Sequence, residues 1–254
     1  MTKELLDEAV APNKKHPAGL WLLCFTEVWE RFSYYGMRAI LVLYLTKTLI
    51  QGGLAFDPQY ASLLYGYFTG LVYFTPLIGG WLADKYLGQR KAITIGGFTM
   101  MAGQLCLFAM NNHTGLYLGL FLLIIGNGFF KPNISALIGG LYKKNDPRRD
   151  AAFTYFYMGV NIGALIAPIA IAFISDNLFA TNDANGNIMT YGYKYAFLAA
   201  AIGMFLGQIV YNLLGNKYLG YLGKKVASSP SDTVIETEEN KSNEKLTKTE
   251  KQQI

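Results

Sequence analysis

Residues 27–38 read Glu27-Val28-Trp29-Glu30-Arg31-Phe32-Ser33-Tyr34-Tyr35-Gly36-Met37-Arg38. Four charged side chains fall within these twelve residues, inside an otherwise apolar run over 19–48. A charge at the centre of a membrane-spanning helix costs at least about 2.5–3.5 kcal/mol on insertion scales, so four of them need a compensating environment. At about 100° per residue, Glu27, Glu30, Arg31, Tyr34 and Arg38 share one arc roughly 100° wide. Trp29, Phe32, Ala39 and Ile40 fall on other faces. The charged stripe therefore looks into a bundle interior or a water-filled cavity.

Outward from this helix, the chain is a succession of apolar runs. It is 52% hydrophobic and 15% charged, against about 25% charged in a soluble domain. A spanning helix needs about 20 mostly apolar residues. Six are predicted, over 19–48, 58–83, 92–110, 115–141, 151–175 and 193–215. Pro76, Pro132 and Pro168 lie inside them, as membrane helices tolerate. The expected fold class is an all-α membrane protein with three parts. These are a cytoplasmic N-terminal segment (1–18), a six-helix bundle (19–216) and a polar cytoplasmic linker or tail (217–254). From residue 226 onward the composition turns to Ser, Thr, Glu, Lys and Asn, which reads as solvated and disordered.

The basic residues explain the net charge of +5. Lys14 and Lys15 precede the first span; Lys85, Arg90 and Lys91 follow the second. Lys143, Lys144, Arg148 and Arg149 follow the fourth; Lys217, Lys224 and Lys225 follow the sixth. The alternate loops near 49–57, 111–114 and 176–192 contain no Lys or Arg. The positive-inside rule puts both termini in the cytoplasm of a multi-pass protein of the cell membrane. No nucleic-acid partner is needed to account for the charge. Cys24 and Cys106 lie in apolar runs and imply neither a disulfide framework nor a metal site. His16 and His113 lie in polar segments. The first apolar run is too long for a cleaved signal. The sequence shows no phosphate-binding loop, nucleophile elbow or metal-ligand cluster, so neither an enzyme nor a bound cofactor is expected.

Two readings of the charged stripe stand side by side. Glu27 and Arg31, at i and i+4, can pair and simply hold helices together. Alternatively, Glu27 and Glu30 form a proton site coupled to Arg31, which is released when a carboxylate is protonated. Depth favours the second reading. At about 1.5 Å per residue, Arg31, Tyr73, Lys131 and Asn161 all come out roughly 15–18 Å from the cytoplasmic side, near the middle of a core about 30 Å thick. Lys131 is then too deep to reach water easily by extending its stem, and Pro132 beside it removes a backbone donor.

The stretch Glu27-x-x-Glu30-Arg31-Phe32-x-Tyr34-Tyr35-Gly36 resembles the helix-1 signature of the proton-dependent oligopeptide transporter family, within the major facilitator superfamily. Three further stretches resemble its motifs in the right order. They are Gly79-Gly80-Trp81-Leu82-Ala83-Asp84-Lys85-x-x-Gly88-x-Arg90-Lys91, Gly126-Asn127-Gly128-Phe129-Phe130-Lys131-Pro132-Asn133, and Phe153-x-x-Phe156-Tyr157-x-x-Val160-Asn161-Ile162-Gly163. The resemblance covers roughly residues 14–225.

The resemblance implies a proton-coupled symporter of di- and tripeptides, with protons as the coupling ion. Glu27, Glu30 and Arg31 would couple protons. Arg31, Tyr35, Arg38, Tyr73, Lys131 and Asn161 would contact the peptide, with Arg31 and Lys131 meeting its carboxylate. For each aromatic alone, ordinary packing is the simpler reading. Asp84 and Arg90 would help close the cytoplasmic gate. Some animal members use a histidine on helix 2; this helix 2 has none, which leaves proton handling to the carboxylates. A major facilitator has twelve helices in two halves, so six spans imply a missing C-terminal half. Residues 245–254 resemble the approach to a seventh helix. The alternatives are a non-transporting bundle from a split or truncated gene, or a member specialised for another small carboxylated solute.

The loop charges generate one prediction. A reporter active only in the cytoplasm, fused after Ile254, is expected to work, and activity only of an exported reporter would contradict the topology.

Overall fold

The computed structural model describes residues 15–143 and 145–224. The expected terminal segments, apart from 15–18 and 217–224, lie outside the described residues. Six long helices run through the described chain: α1 (Ala18–Thr46), α2 (Pro58–Leu82), α3 (Gln89–Ala109), α4 (His113–Gly140), α5 (Arg148–Phe173) and α6 (Tyr193–Leu219). They match the six apolar runs to within a few residues. Two ends differ in kind: α2 and α5 continue as wider π-helical turns over Ala83–Leu87 and Ile174–Leu178. The loop before α6 holds a short antiparallel ribbon, Thr181–Asn182 with Ile188–Thr190. α6 runs past the expected boundary at 216, to Leu219.

Local chemistry accounts for the helix starts. Pro58 sits in the first turn of α2, where its missing N–H costs nothing. The Asp57 side chain before it accepts from the N–H groups of Gln59 at 2.9 Å and Tyr60 at 3.3 Å. Asn112 caps α4 in the same way, accepting from Gly115 N–H at 2.8 Å. In the ribbon loop, Asp183 accepts from the N–H groups of Asn187 at 2.8 Å and Asn185 at 2.9 Å. The hydrogen bonds from Asn187 lead in holding its carboxyl below the usual carboxylate range.

Five helices are long and apolar enough to cross a membrane, counting α2 and α5 with their π-helical turns. α1 is the sixth long helix and the exception. Every stretch of it long enough to cross carries at least three charged side chains. Composition alone thus makes a five-helix membrane protein, and the span of α1 depends on how its charges are housed.

The packing supplies that housing. α1 packs along α5 on one side and α6 on the other, and touches α2 and α4 more lightly. α3 packs between α4 and α6, and α2 lies against α4. Small residues let these helices approach. Trp29 and Phe32 of α1 cover Gly203 and Gly207 of α6, where a Cβ would lie 2.8 Å from the Phe32 ring and 3.0 Å from Trp29 Cβ. A Cβ on Gly163 of α5 would lie 2.6 Å from the Val28 carbonyl and 2.8 Å from Arg31 Cβ.

The α2–α4 contact is closer still. Pro132 lacks an N–H, so it cannot bond the carbonyl of Gly128 one turn earlier. That carbonyl faces Gly79 of α2, and any Cβ there would collide with it. Thr75, one turn before Gly79, donates to the Ile124 carbonyl at 3.0 Å. Gly79→Ala is therefore expected to destabilise the bundle by about 1–3 kcal/mol through forced helix separation. Gly66→Ala, also on α2 but with nothing within 4 Å of its would-be Cβ, is expected to be neutral or slightly stabilising. Thermal unfolding of the two variants in the same detergent distinguishes them; equal behaviour would mean that the α2–α4 approach is not tight.

Candidate functional site

The charged arc of α1 is buried. Glu27 is 3% exposed, Glu30 0% and Arg31 4%. Arg31 Nε stands 3.0 Å from Glu27 Oε1, one turn back, and donates to Glu30 Oε2 beside it. One guanidinium thus bridges two carboxylates on a single helix. Its Cζ lies 5.4 Å from the ring centroid of Tyr34 and 5.8 Å from that of Tyr35, within cation–π range. The second oxygens, Glu27 Oε2 and Glu30 Oε1, and Arg31 Nη2 are buried without a hydrogen-bond partner. Buried charges are stable when paired and fully hydrogen-bonded, so the half-satisfied cluster retains capacity for a further donor or proton.

α4 supplies the second cation. Lys131 is half-buried and lies near enough to Glu27, Glu30 and Arg31 to interact electrostatically with all three. Its Nζ stands 4.9 Å from the ring centroid of Tyr73 on α2. Counting formal charges, two carboxylates face two cations, so the cluster is balanced as it stands. Tyr73 itself is 62% exposed, on the side of the bundle that α2 leaves open. Among the described residues no group of three or more His, Cys, Asp or Glu could hold a metal ion.

The other expected residues are placed around this centre with varying closeness. Arg38, two turns beyond Arg31, takes the Tyr65 hydroxyl of α2 as acceptor and packs over its ring. Asn161 is exposed on α5, two residues before Gly163, where α5 meets the backbone of α1 at Val28. Asp84 is exposed in the π-helical turn after α2. Arg90 reaches across to the end of α6, donating to the Gly220 carbonyl at 3.0 Å and to Asn216 Oδ1 at 3.1 Å. Among the described residues Asp84 and Arg90 form no ion pair with each other, and Arg90 instead ties the start of α3 to the end of the neighbouring helix α6.

Two partners of these side chains, Tyr65 and Asn127, lie outside the sequence expectations. Tyr65 was visible in principle. α1 and α2 form an antiparallel hairpin, and Arg38 lies as far before the end of α1 at Thr46 as Tyr65 lies after the start of α2 at Pro58, to within one residue. Asn127, buried beside Glu30, stands one turn before Lys131 on α4. The i, i+4 spacing of two polar residues in an apolar helix is the signal that points to it.

Removing one member of a buried charge cluster strands the others at a cost of about 3–5 kcal/mol. Arg31→Met is therefore expected to lose about that much stability in detergent, and the triple variant Glu27→Gln, Glu30→Gln, Arg31→Met to recover most of it. If the triple variant is no more stable than Arg31→Met, the cluster does not act as a unit.

The sequence profile of the POT family matches residues 90–236. Over 211 residues the chain is 43% identical to "Uncharacterized transporter YclF" of Bacillus subtilis (strain 168), covering 83% of this chain and 40% of that protein. Over 219 residues it is 37% identical to a "Di-/tripeptide transporter" of Lactococcus lactis subsp. lactis (strain IL1403), covering 85% and 41%. Its backbone matches the crystal structure of a peptide transporter POT in complex with sulfate at a TM-score of 0.76 and 35% identity, covering 98% of this chain and 49% of that one. A POT family transporter in complex with 5-aminolevulinic acid matches at 0.76 and 37% identity, covering 92% and 46%. The chain thus spans about 40% of the length of the curated relatives. The profile covers more than half of this chain, and on that match the chain belongs to the POT family and is a multi-pass membrane protein.

Proposed function

We propose that this chain is the N-terminal half of a proton-coupled symporter of di- and tripeptides in the cell membrane, with α1 as a sixth span and both termini cytoplasmic. The observation that carries the reading is the charge balance of the buried cluster. Glu27 and Glu30 against Arg31 and Lys131 sum to zero. A peptide carboxylate leaving water needs a cationic partner, and Lys131 and Arg31 are the cations at hand. Its arrival adds one negative charge to a desolvated site. One proton on Glu27 or Glu30 restores neutrality and loosens that carboxylate's hold on Arg31. Substrate and proton thereby favour each other's binding, which is the thermodynamic core of symport.

The open side of the bundle supports the remaining part. The spans containing α2 and α5 are the least buried of the five apolar ones, at 17% and 28%. Alternating access needs a second bundle to rock against this one around a site at midplane. In the proposed symporter the second half covers these faces and supplies contacts for the peptide's amino end. Tyr73 and Asn161, both on exposed faces, line the space between. A second reading, a carrier of other small carboxylated amines, is favoured by the relative in complex with 5-aminolevulinic acid.

The test is uptake into liposomes under an inward proton gradient. With both halves present, labelled dipeptide is expected to accumulate, and Lys131→Ala to lose at least about tenfold of that rate, the effect of a lost charge-assisted hydrogen bond. Glu27→Gln and Glu30→Gln are expected to weaken gradient-driven accumulation more than peptide exchange without a gradient. Residues 1–254 alone are expected not to accumulate peptide. Uncoupler-sensitive accumulation by this chain alone would contradict the half-transporter reading, and accumulation of 5-aminolevulinic acid but not dipeptide would favour the second.

A further inference from the structure

The seam between α3 and α6 is remote from the charged arc of α1, and it ends in a cavity of about 680 Å³. Arg90, Lys91, Thr94, Ile95, Tyr211, Asn212 and Lys224 line it. Three of these seven are cations and none is acidic. The Arg90 guanidinium is fixed across the seam by the Gly220 carbonyl and Asn216, and its backbone N–H donates to the Gly223 carbonyl at 3.0 Å. Thr94 donates to Asn212 Oδ1 at 2.8 Å, so the walls are tied together. None of the three cations is ion-paired among the described residues. Tyr211 is 1% exposed, yet its hydroxyl has no partner in hydrogen-bond geometry and lies beside Arg90. The helix end adds to the charge: α3 begins at Gln89 with no acidic residue in its first turn and no side-chain cap, which leaves the positive end of its dipole facing the same region.

The surroundings are amphipathic in one direction. Arg90 and Lys91 sit in the first turn of α3, at the end of the bundle that carries the basic loops. One turn deeper, Ile95 is 42% exposed, and Phe98 after it 39%. A ligand that suits both levels has an anionic head and apolar chains. The seam also lies away from α2 and α5, whose open faces the proposed second half would cover, so in the whole transporter it faces lipid.

We propose that this seam binds the phosphate headgroup of an anionic phospholipid, with Arg90, Lys91 and Lys224 around the phosphate, the Tyr211 hydroxyl donating to it, and the acyl chains along Ile95 and Phe98. Basic cavities between transmembrane helices on the cytoplasmic side suit such headgroups. The proposal rests on the membrane-spanning reading of α3 and α6 but not on transport. It adds to the family assignment a site that helps hold the α3 start against the α6 end.

Native mass spectrometry of the purified chain, released from detergent mixed with either phosphatidylglycerol or phosphatidylcholine, tests it without any transport assay. Phosphatidylglycerol is expected to be retained in clear preference. Lys91→Gln and Lys224→Gln are each expected to weaken that retention on the order of fivefold, and the pair together by their product. Tyr211→Phe, which keeps the ring, shifts it in the same direction. Lys143→Gln, on the loop between α4 and α5, leaves it unchanged. Circular dichroism of each variant, matching the parent, keeps misfolding out of the comparison. Equal retention of the two lipids, or undiminished phosphatidylglycerol in the double lysine variant, would overturn the site. Displacement of the lipid by millimolar inorganic phosphate would show a free-anion site and overturn the lipid assignment.

Discussion

The structure depends on one arginine held between two carboxylates in the middle of a helix. Arg31 cannot lie against hydrocarbon, and neither can Glu27 or Glu30. Their shared arc forces α1 inward, and the need to surround it fixes its neighbours. α5 and α6 reach α1 through glycines, Gly163 on one side and Gly203 and Gly207 on the other. α4 contributes the second cation from a helix in which Pro132 breaks the regular hydrogen bonding and frees the Gly128 carbonyl against Gly79. Gly163 lets α5 close on the helix beside Arg31, whereas Gly203 and Gly207 receive Trp29 and Phe32 on the opposite face, so α1 is enclosed on both sides.

The same constraint leaves part of the molecule unfinished. Tyr73 on α2 and Asn161 on α5 are exposed although both stand in helices of high apolar content. Leu77 is 71% exposed and Leu165 69%, far more than isolated surface residues require, and contiguous apolar faces of this kind mark contact with a partner or with lipid. In the proposed symporter they divide between the two. The faces that carry Tyr73 and Asn161 meet the second half, and the remaining faces meet the bilayer.

Much of this was legible because membrane constraints are few and strict. A helix in lipid must satisfy its own backbone, so apolar runs translate directly into elements, and the angular position of Glu27, Glu30 and Arg31 predicted their burial and pairing. The finer features depend on contacts between helices, which periodicity within one helix does not encode. The π-helical turns after Leu82 and Phe173 change no residue type. The Arg38–Tyr65 contact needs the geometry of a hairpin, and the place of Asn127 beside Glu30 needs the α1–α4 crossing. The reach of Arg90 to the carbonyl end of α6, where a guanidinium finds acceptors, needs a pairing of helices that the chain pattern does not reveal.

In the proposed symporter the α1 cluster, balanced by Lys131, takes up a proton when a carboxylate joins it. Isothermal titration of a dipeptide into the complete transporter, repeated in buffers of different ionisation enthalpy, measures the protons taken up per peptide bound. About one proton is expected at neutral pH, and close to none in Glu27→Gln, Glu30→Gln double-variant protein that still binds peptide. Binding with no proton uptake by the unmodified protein would contradict this coupling.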